Sequence, residues 1–338
     1  MKKILTLLTV GALLLAVLSP LAAGGQQEAE AAGQEEIKIG FLVKLAECSW
    51  FQDEWKFAQQ AADEYGFELV KISTPEGESV LSAIDNMAAQ NVQGFIICTP
   101  DVKLGPSIKM KADQNNMKLM SVDDRFVGAD GKPMEEVHHM GISAYEIGRQ
   151  VGKALMEEAQ ARGWDLSKTG ADCLTYNELP TSKERTDGAT DMLVEMGFSK
   201  DNVFEAPTAT DSTTEGGFDA TNILVAAHPE IEHWLVYSLC DDTTIGGVRA
   251  LEGNGFKAAD IIGVGINGND LAVGELQKEE SGFHATVLLA AKQHGYETSV
   301  NMYKWIAEGV EPEKAIFTSG VLMTRENYKQ VRQEMGLE

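Results

Sequence analysis

The chain has 338 residues, 43% of them hydrophobic, which is enough apolar material for two cores of ordinary domain size. Its formal net charge of −24 argues against nucleic acid as a partner, because phosphate binding draws its affinity from clustered Lys and Arg; a surplus of negative charge serves solubility instead. Four cysteines in a chain of this length are too few for a disulfide scaffold.

Lys2 and Lys3 precede an apolar run from Ile4 to Leu18, which Ser19 and Pro20 interrupt ahead of Ala22, Ala23 and Gly24. A charged start, an apolar stretch and a small-residue ending predict a secretory signal peptide over residues 1–23. The run is shorter than the roughly 20 residues that a membrane-spanning helix needs. The small-residue stretch resembles a lipoprotein processing site with glycine in place of the lipidated cysteine, so the expectation is a soluble protein exported to the periplasm or another extracytoplasmic compartment. Residues 24–36, GGQQEAEAAGQEE, are polar, acidic and without aromatics, and predict a disordered leader.

From residue 37 onward, short β-branched runs alternate with amphipathic stretches. Residues 37–43 predict a strand, 50–65 a helix and 67–73 a strand, and the rhythm continues through 80–90, 94–99, 103–115 and 118–122. A long helix over residues 144–161 leads to a second set of strands at 171–176, 202–205, 234–239 and 261–265. The same βα pattern built twice predicts two doubly wound parallel-sheet lobes. In such sheets functional residues follow the carboxyl ends of strands. Those positions are Lys44, Thr99 to Asp101, Asp123, Asp124, Asn177, Cys240 and Asn267.

Several motifs suggest other chemistries. Gly263, Gly265 and Gly268 match a dinucleotide fingerprint, yet the region around Thr286 to Ala290 holds no carboxylate for a ribose, and a tight strand-to-helix turn carrying Asn267 explains the spacing better. Asp123 and Asp124 suggest a glycosidase pair, but neighbours on a strand point to opposite faces. One is expected to face a ligand and the other to brace a neighbour, unless the strand has already ended. His138, His139 and Met140 diverge for the same reason and form no set with metal-ligand spacing, so no metal and no cofactor is expected. Neither a G-x-S-x-G elbow nor a Cys–His signature is present, which leaves no catalytic residues. Trp50 and Phe51 open a helix at a strand-to-helix corner, where an aromatic can stack on the apolar face of a sugar.

The segments KIGFLVK with WFQDEWKFA, GFIICTPD, VDDRFV with GKPM, NELPTSKERTDG and GGVRALEGNGFKAADIIGVGING together resemble the type I periplasmic sugar-binding proteins, with few gaps from about Ile37 to the C-terminus. The resemblance implies two Rossmann-like lobes joined by a three-strand hinge near Ile142, Leu288 and Phe317. One lobe would comprise residues 37–142 and 288–317, the other 143–287 and 318–338. It further implies a monomer that catalyses no reaction. Such a protein closes on a monosaccharide, L-arabinose or a related pentose, hexose or deoxy sugar, and presents it to the permease of an ABC transporter. A chemoreceptor or sensor kinase is the alternative partner, and an α/β dehydrogenase or glycosidase the alternative class.

By the same resemblance Lys44, Trp50, Asp124, Arg185 and Asn267 are ligand contacts. Asp124 would take the anomeric hydroxyl, Lys44 a neighbouring hydroxyl, Arg185 the ring oxygen and Asn267 a hydroxyl on the far side, while Leu179 and Thr181 would line the cleft and brace Arg185. Carboxylates that accept and Lys, Arg or Asn that donate suit hydroxyls able to do both. The chain departs from the pattern at Cys48, where a ligand-bonding glutamate is implied, and at Cys240, where a second asparagine is implied. Ile142 and Leu239 replace methionines, and Leu289 replaces a proline. The two cysteines leave three readings open: a sugar lacking a hydroxyl on that side, ordered water in its place, or a Cys48–Cys240 disulfide in the closed form. Cys98, within an apolar strand, is read as core.

Overall fold

The computed structural model describes residues 36–209 and 213–337. The expected signal peptide and all of the expected leader except Glu36 lie outside the described residues.

Two six-stranded sheets organise the chain. The first is built from β1 (Lys38–Val43), β2 (Glu68–Ser73), β3 (Gly94–Ile97), β4 (Lys118–Asp123) and β5 (His138–Ile142). The second contains β6 (Thr169–Thr175), β7 (Val203–Pro207), β8 (His233–Tyr237), β9 (Ile261–Asn267) and β10 (Phe283–Leu289). Near the C-terminus β11 (Ala315–Thr318) returns to the edge of the first sheet and β12 (Gly320–Thr324) to the edge of the second. The orders are β11-β5-β4-β3-β1-β2 and β12-β10-β9-β8-β6-β7. All pairings are parallel except β12 against β10. These are the two doubly wound lobes.

The strand sequences explain why the sheets are parallel and covered. Every residue of β3 is buried, as are Ile39, Phe41, Leu42 and Val43 of β1, because helices pack on both faces and leave no wet side. The helix Ser49–Tyr65 presents Phe51, Phe57, Ala58, Ala61 and Ala62 to the core and stops at Gly66, whose φ of 73° needs a residue without a Cβ.

The chain passes between the lobes three times. Ser143 separates β5 from the helix Ala144–Ala161, residues 290–292 lead from β10 to a π-helical turn, Gln293–Glu297, that packs on the first lobe, and Ser319 separates β11 from β12. Two crossings are clipped together where the Ser143 amide donates to the Thr318 carbonyl at 2.9 Å. In each sheet the order reverses beside its first strand, which opens a crevice at the carboxyl ends of β1 and β3 in one lobe and of β6 and β8 in the other.

Candidate functional site

A cavity between the lobes is lined by thirteen of the residues singled out from the sequence, together with Leu45, Ser182 and Leu289. Lys44, Cys48, Trp50, Phe51, Asp123, Asp124 and Ile142 come from the first lobe. Leu179, Thr181, Arg185, Leu239, Cys240 and Asn267 come from the second. Thr99, Asp101 and Asn177, also at strand ends, are not brought to it. Asp101 instead caps a short 3-10 turn by accepting from the Lys103 amide at 2.9 Å, and Asn177 lines a separate depression.

Asp124 is the centre of the polar network. Its Oδ2 accepts from the Lys44 ammonium at 2.9 Å, and its Oδ1 accepts from the Thr181 hydroxyl at 2.7 Å across the cleft. The Cys98 thiol approaches Oδ2 at 3.6 Å. Burial pushes the Asp124 pKa upward, but the Lys44 charge and hydrogen bond, the Thr181 hydroxyl and the Arg185 charge outweigh it and hold the group below its ordinary value. The carboxylate therefore stays ionised and is ready to accept.

Asp123 turns the other way. Its φ of 61° puts the last residue of β4 in the left-handed region, so the strand has ended and both carboxyl groups reach the cavity. Trp50 Nε1 donates to Asp123 Oδ2 at 3.2 Å, and His294 Nδ1 lies 2.7 Å from Oδ1. The Trp50 ring meets the His294 imidazole edge-on at 5.3 Å. Asn267, with φ 118°, marks the matching end of β9 in the second lobe. Strained backbone of this kind concentrates at functional sites.

Arg185 Nη1 donates to the Leu239 carbonyl, which fixes the guanidinium at the second lobe's wall. The Cys240 amide donates to Ser238 Oγ at 3.2 Å, and its thiol lies 3.4 Å from the Thr243 hydroxyl. Burial raises that thiol's pKa to about 12. Lys44 and Arg185 are set against Asp123 and Asp124, so the lining carries balanced formal charge. Trp50, Phe51, Ile142, Leu239 and Leu289 supply apolar wall. Balanced charges and apolar faces suit a neutral molecule rich in hydroxyls.

The geometry sharpens three of these readings. Thr181 lines the cavity, and its hydroxyl donates to Asp124 because closure of the lobes brings the two within hydrogen-bond distance. Cys98 is core but also touches Asp124, since β3 and β4 are neighbours whose ends align. All four cysteines are thiols, so a Cys48–Cys240 disulfide is not formed. The sequence reading also missed Leu45, Ser182 and Leu289 as lining residues, and His294 beneath Asp123. No local sequence pattern marks His294.

A model of periplasmic binding proteins and the sugar-binding domain of the LacI family matches residues 36–330. The chain belongs to the periplasmic binding protein family. The L-arabinose-binding periplasmic protein of Escherichia coli is 47% identical over 310 residues, covering 91% of this chain and 94% of that relative. An ABC transporter L-arabinose-binding periplasmic protein of Azospirillum brasilense is 46% identical over 331 residues, covering 97% and 98%. Solved structures with lower identity share the family fold. A carbohydrate transporter solute-binding protein from Agrobacterium radiobacter, in complex with D-arabinose, superposes with a TM-score of 0.74 at 17% identity, covering 90% of this chain and 100% of that one. An ABC transporter solute-binding protein from Actinobacillus succinogenes with D-allose gives 0.74 at 19%, covering 87% and 100%.

Proposed function

We propose that the protein is the periplasmic, monomeric sugar receptor of an ABC importer. It would close its lobes on one monosaccharide, L-arabinose or a related sugar, and catalyse no reaction. The carrying observation is Asp124: a buried, ionised acceptor held by Lys44 within one lobe and reached by Thr181 from the other. A sugar hydroxyl that enters the open cleft can donate to this carboxylate, accept from Lys44 and meet donors of the second lobe. The closed form then gains contacts that the open form lacks, and only such differential contact shifts the equilibrium. The apolar wall around Trp50 would take the ring's C–H face.

The identities at Cys48 and Cys240 favour a sugar with fewer hydroxyl groups on the side they face, because a thiol is a weak hydrogen-bond partner. Each buried hydroxyl left without a partner costs about 1 to 3 kcal/mol. The importer reading is supported by the A. brasilense relative, which is named for an ABC transporter. A thermal-shift screen against pentoses, hexoses and deoxy sugars tests the proposal, since a molecule that binds only the folded form raises its melting temperature. A specific shift with a monosaccharide is expected. No shift with any of them removes the sugar reading.

A further inference from the structure

Beneath Asp123, away from the residues expected to touch sugar, lies a buried acid and base that the proposed mechanism does not use. Glu54, on the helix Ser49–Tyr65, is fully buried beside Asp123, whose charge and hydrogen bonding both favour its protonated form, and its carboxyl oxygens have no other hydrogen-bond partner. An unpaired buried carboxylate is so costly that such a group keeps its proton. Burial first, and the charge of Asp123 next, push its pKa well above the ordinary range.

His294 faces it from the π-helical turn. Gly295 makes this approach possible: a Cβ there would lie 2.2 Å from the Glu54 carbonyl oxygen. His294 Nδ1 is 2.7 Å from Asp123 Oδ1 and 3.7 Å from Glu54 Oε1. Its Nε2 is 2.8 Å from Thr318 Oγ1, and that hydroxyl donates onward to the Gly141 carbonyl at 3.3 Å. The Thr318 hydroxyl is thus shared between the imidazole and the Gly141 carbonyl, and a hydrogen on Nδ1 points at Asp123 Oδ1. The His294 amide also donates to Ala290 at 3.2 Å, and Thr318 accepts from the Ser143 amide. The imidazole, carried by the second crossing, thus contacts Thr318 at the third, and Thr318 is in turn bonded through its carbonyl to Ser143 at the first.

We propose that His294 is a positioning residue that ties Asp123 to the hinge, and that protonated Glu54 keeps it there, so that sugar binding is linked to proton uptake. This rests on the reading of the cavity as the sugar site. While Glu54 is neutral, the Nδ1 proton is shared with Asp123 alone, and Asp123 is fixed between His294 and the Trp50 indole. Once Glu54 ionises, a second carboxylate competes for the same proton, and Asp123 and the Thr318 link are loosened together. The other titratable or charged groups around the cluster are Lys44 and Cys48 after β1, Cys98 after β3, Asp124 and Arg125 after β4, and His139 on β5. Lys44 is engaged by Asp124, and His139 is pushed down to about 4, chiefly by burial. Glu54 makes no hydrogen bond to any of them.

The test is calorimetric titration with L-arabinose from pH 5.5 to 9 in buffers of different ionisation heat. Wild-type affinity is expected to fall about tenfold toward high pH, with protons taken up on binding. Glu54→Gln, which mimics the neutral acid, should bind with a flat profile and no proton uptake. His294→Gln should bind at least tenfold more weakly at every pH. Independently of any sugar, an infrared difference between wild type and Glu54→Gln at pH 7 should show a protonated carboxyl band. A flat wild-type profile in a protein that does bind sugar, an unchanged profile in Glu54→Gln, or no infrared band overturns the proposal. So would a chelator-induced loss of binding that zinc restores, because the cluster would then hold a metal. If no sugar binds the wild type at any pH, the reading of the site itself has failed, and the link to proton uptake falls with it.

Discussion

Thr181 donates its hydroxyl proton across the cleft to Asp124 at 2.7 Å, so a hydrogen bond to one buried carboxylate joins the two lobes. A hydrogen bond to a charged group contributes about 1.5 to 3 kcal/mol. Thr181→Val should therefore weaken sugar binding by roughly ten- to a hundredfold. Small-angle scattering at saturating sugar should still show the closed form, reached at higher concentration. An unchanged affinity would mean that the bond does not contribute to closure.

Restoring the implied polar partners should strengthen binding of L-arabinose. Cys48→Glu with Cys240→Asn replaces two thiols by strong hydrogen-bonding groups. If two sugar hydroxyls gain partners at about 1 kcal/mol or more each, affinity rises by at least about tenfold. Calorimetry of the double variant against wild type decides it, and equal affinities would remove the role given to the cysteines.

Thiol labelling should map the cleft. Cys98, Cys173 and Cys240 are buried, and burial pushes the pKa of Cys173 and Cys240 to about 12, so all three should resist iodoacetamide at pH 8. Cys48 is only half-buried and lines the cavity. It should label first, and saturating sugar should slow it severalfold. Mass spectrometry of the labelled peptides reads the order. Labelling of Cys48 that sugar leaves untouched would place the ligand elsewhere.

Stability should fall as pH rises from about 4 to about 7, through buried aspartates. Burial raises Asp172 to about 7; its Oδ2 accepts from Thr221 at 2.6 Å, while its Oδ1 has no hydrogen-bond partner. A folded-state pKa above the unfolded value favours the fold while the acid is neutral, and that stability is lost as pH climbs through the folded value. Asp172→Asn should leave the melting temperature near pH 4 almost unchanged and raise stability at pH 8 by on the order of 2 to 4 kcal/mol. Asp241, raised to about 7 as well, leaves a residual slope in the variant. Calorimetric scans across pH check the sign, and destabilisation of the variant at pH 8 would show that Asp172 is needed ionised.

Much of the cavity was legible because parallel sheets gather function at strand ends, which selects Lys44, Asp123, Asp124, Cys240 and Asn267 from periodicity alone. Leu179, Thr181, Arg185 and Ile142 came from the family resemblance, since nothing local marks them. What escaped depends on contacts between distant segments. Asp123 and His294 are 171 positions apart, and a π-helical turn has no periodicity signal of its own. Glu54 did leave a trace. It occupies the same helical stripe as Phe51, Phe57, Ala58 and Ala61, and a carboxyl on an apolar face is the anomaly that marks a buried functional group. The direction of the Thr181 hydroxyl is set by lobe closure, which no sequence pattern encodes.

The most direct test of the account is calorimetric titration of wild type and Asp124→Asn against the monosaccharide that gives the largest thermal shift. The account predicts saturable one-to-one binding in the wild type and its loss in the variant, whose amide keeps the shape of the side chain but not the charge that holds Lys44. Retained affinity in Asp124→Asn would contradict the assignment of this carboxylate as the centre of the sugar site.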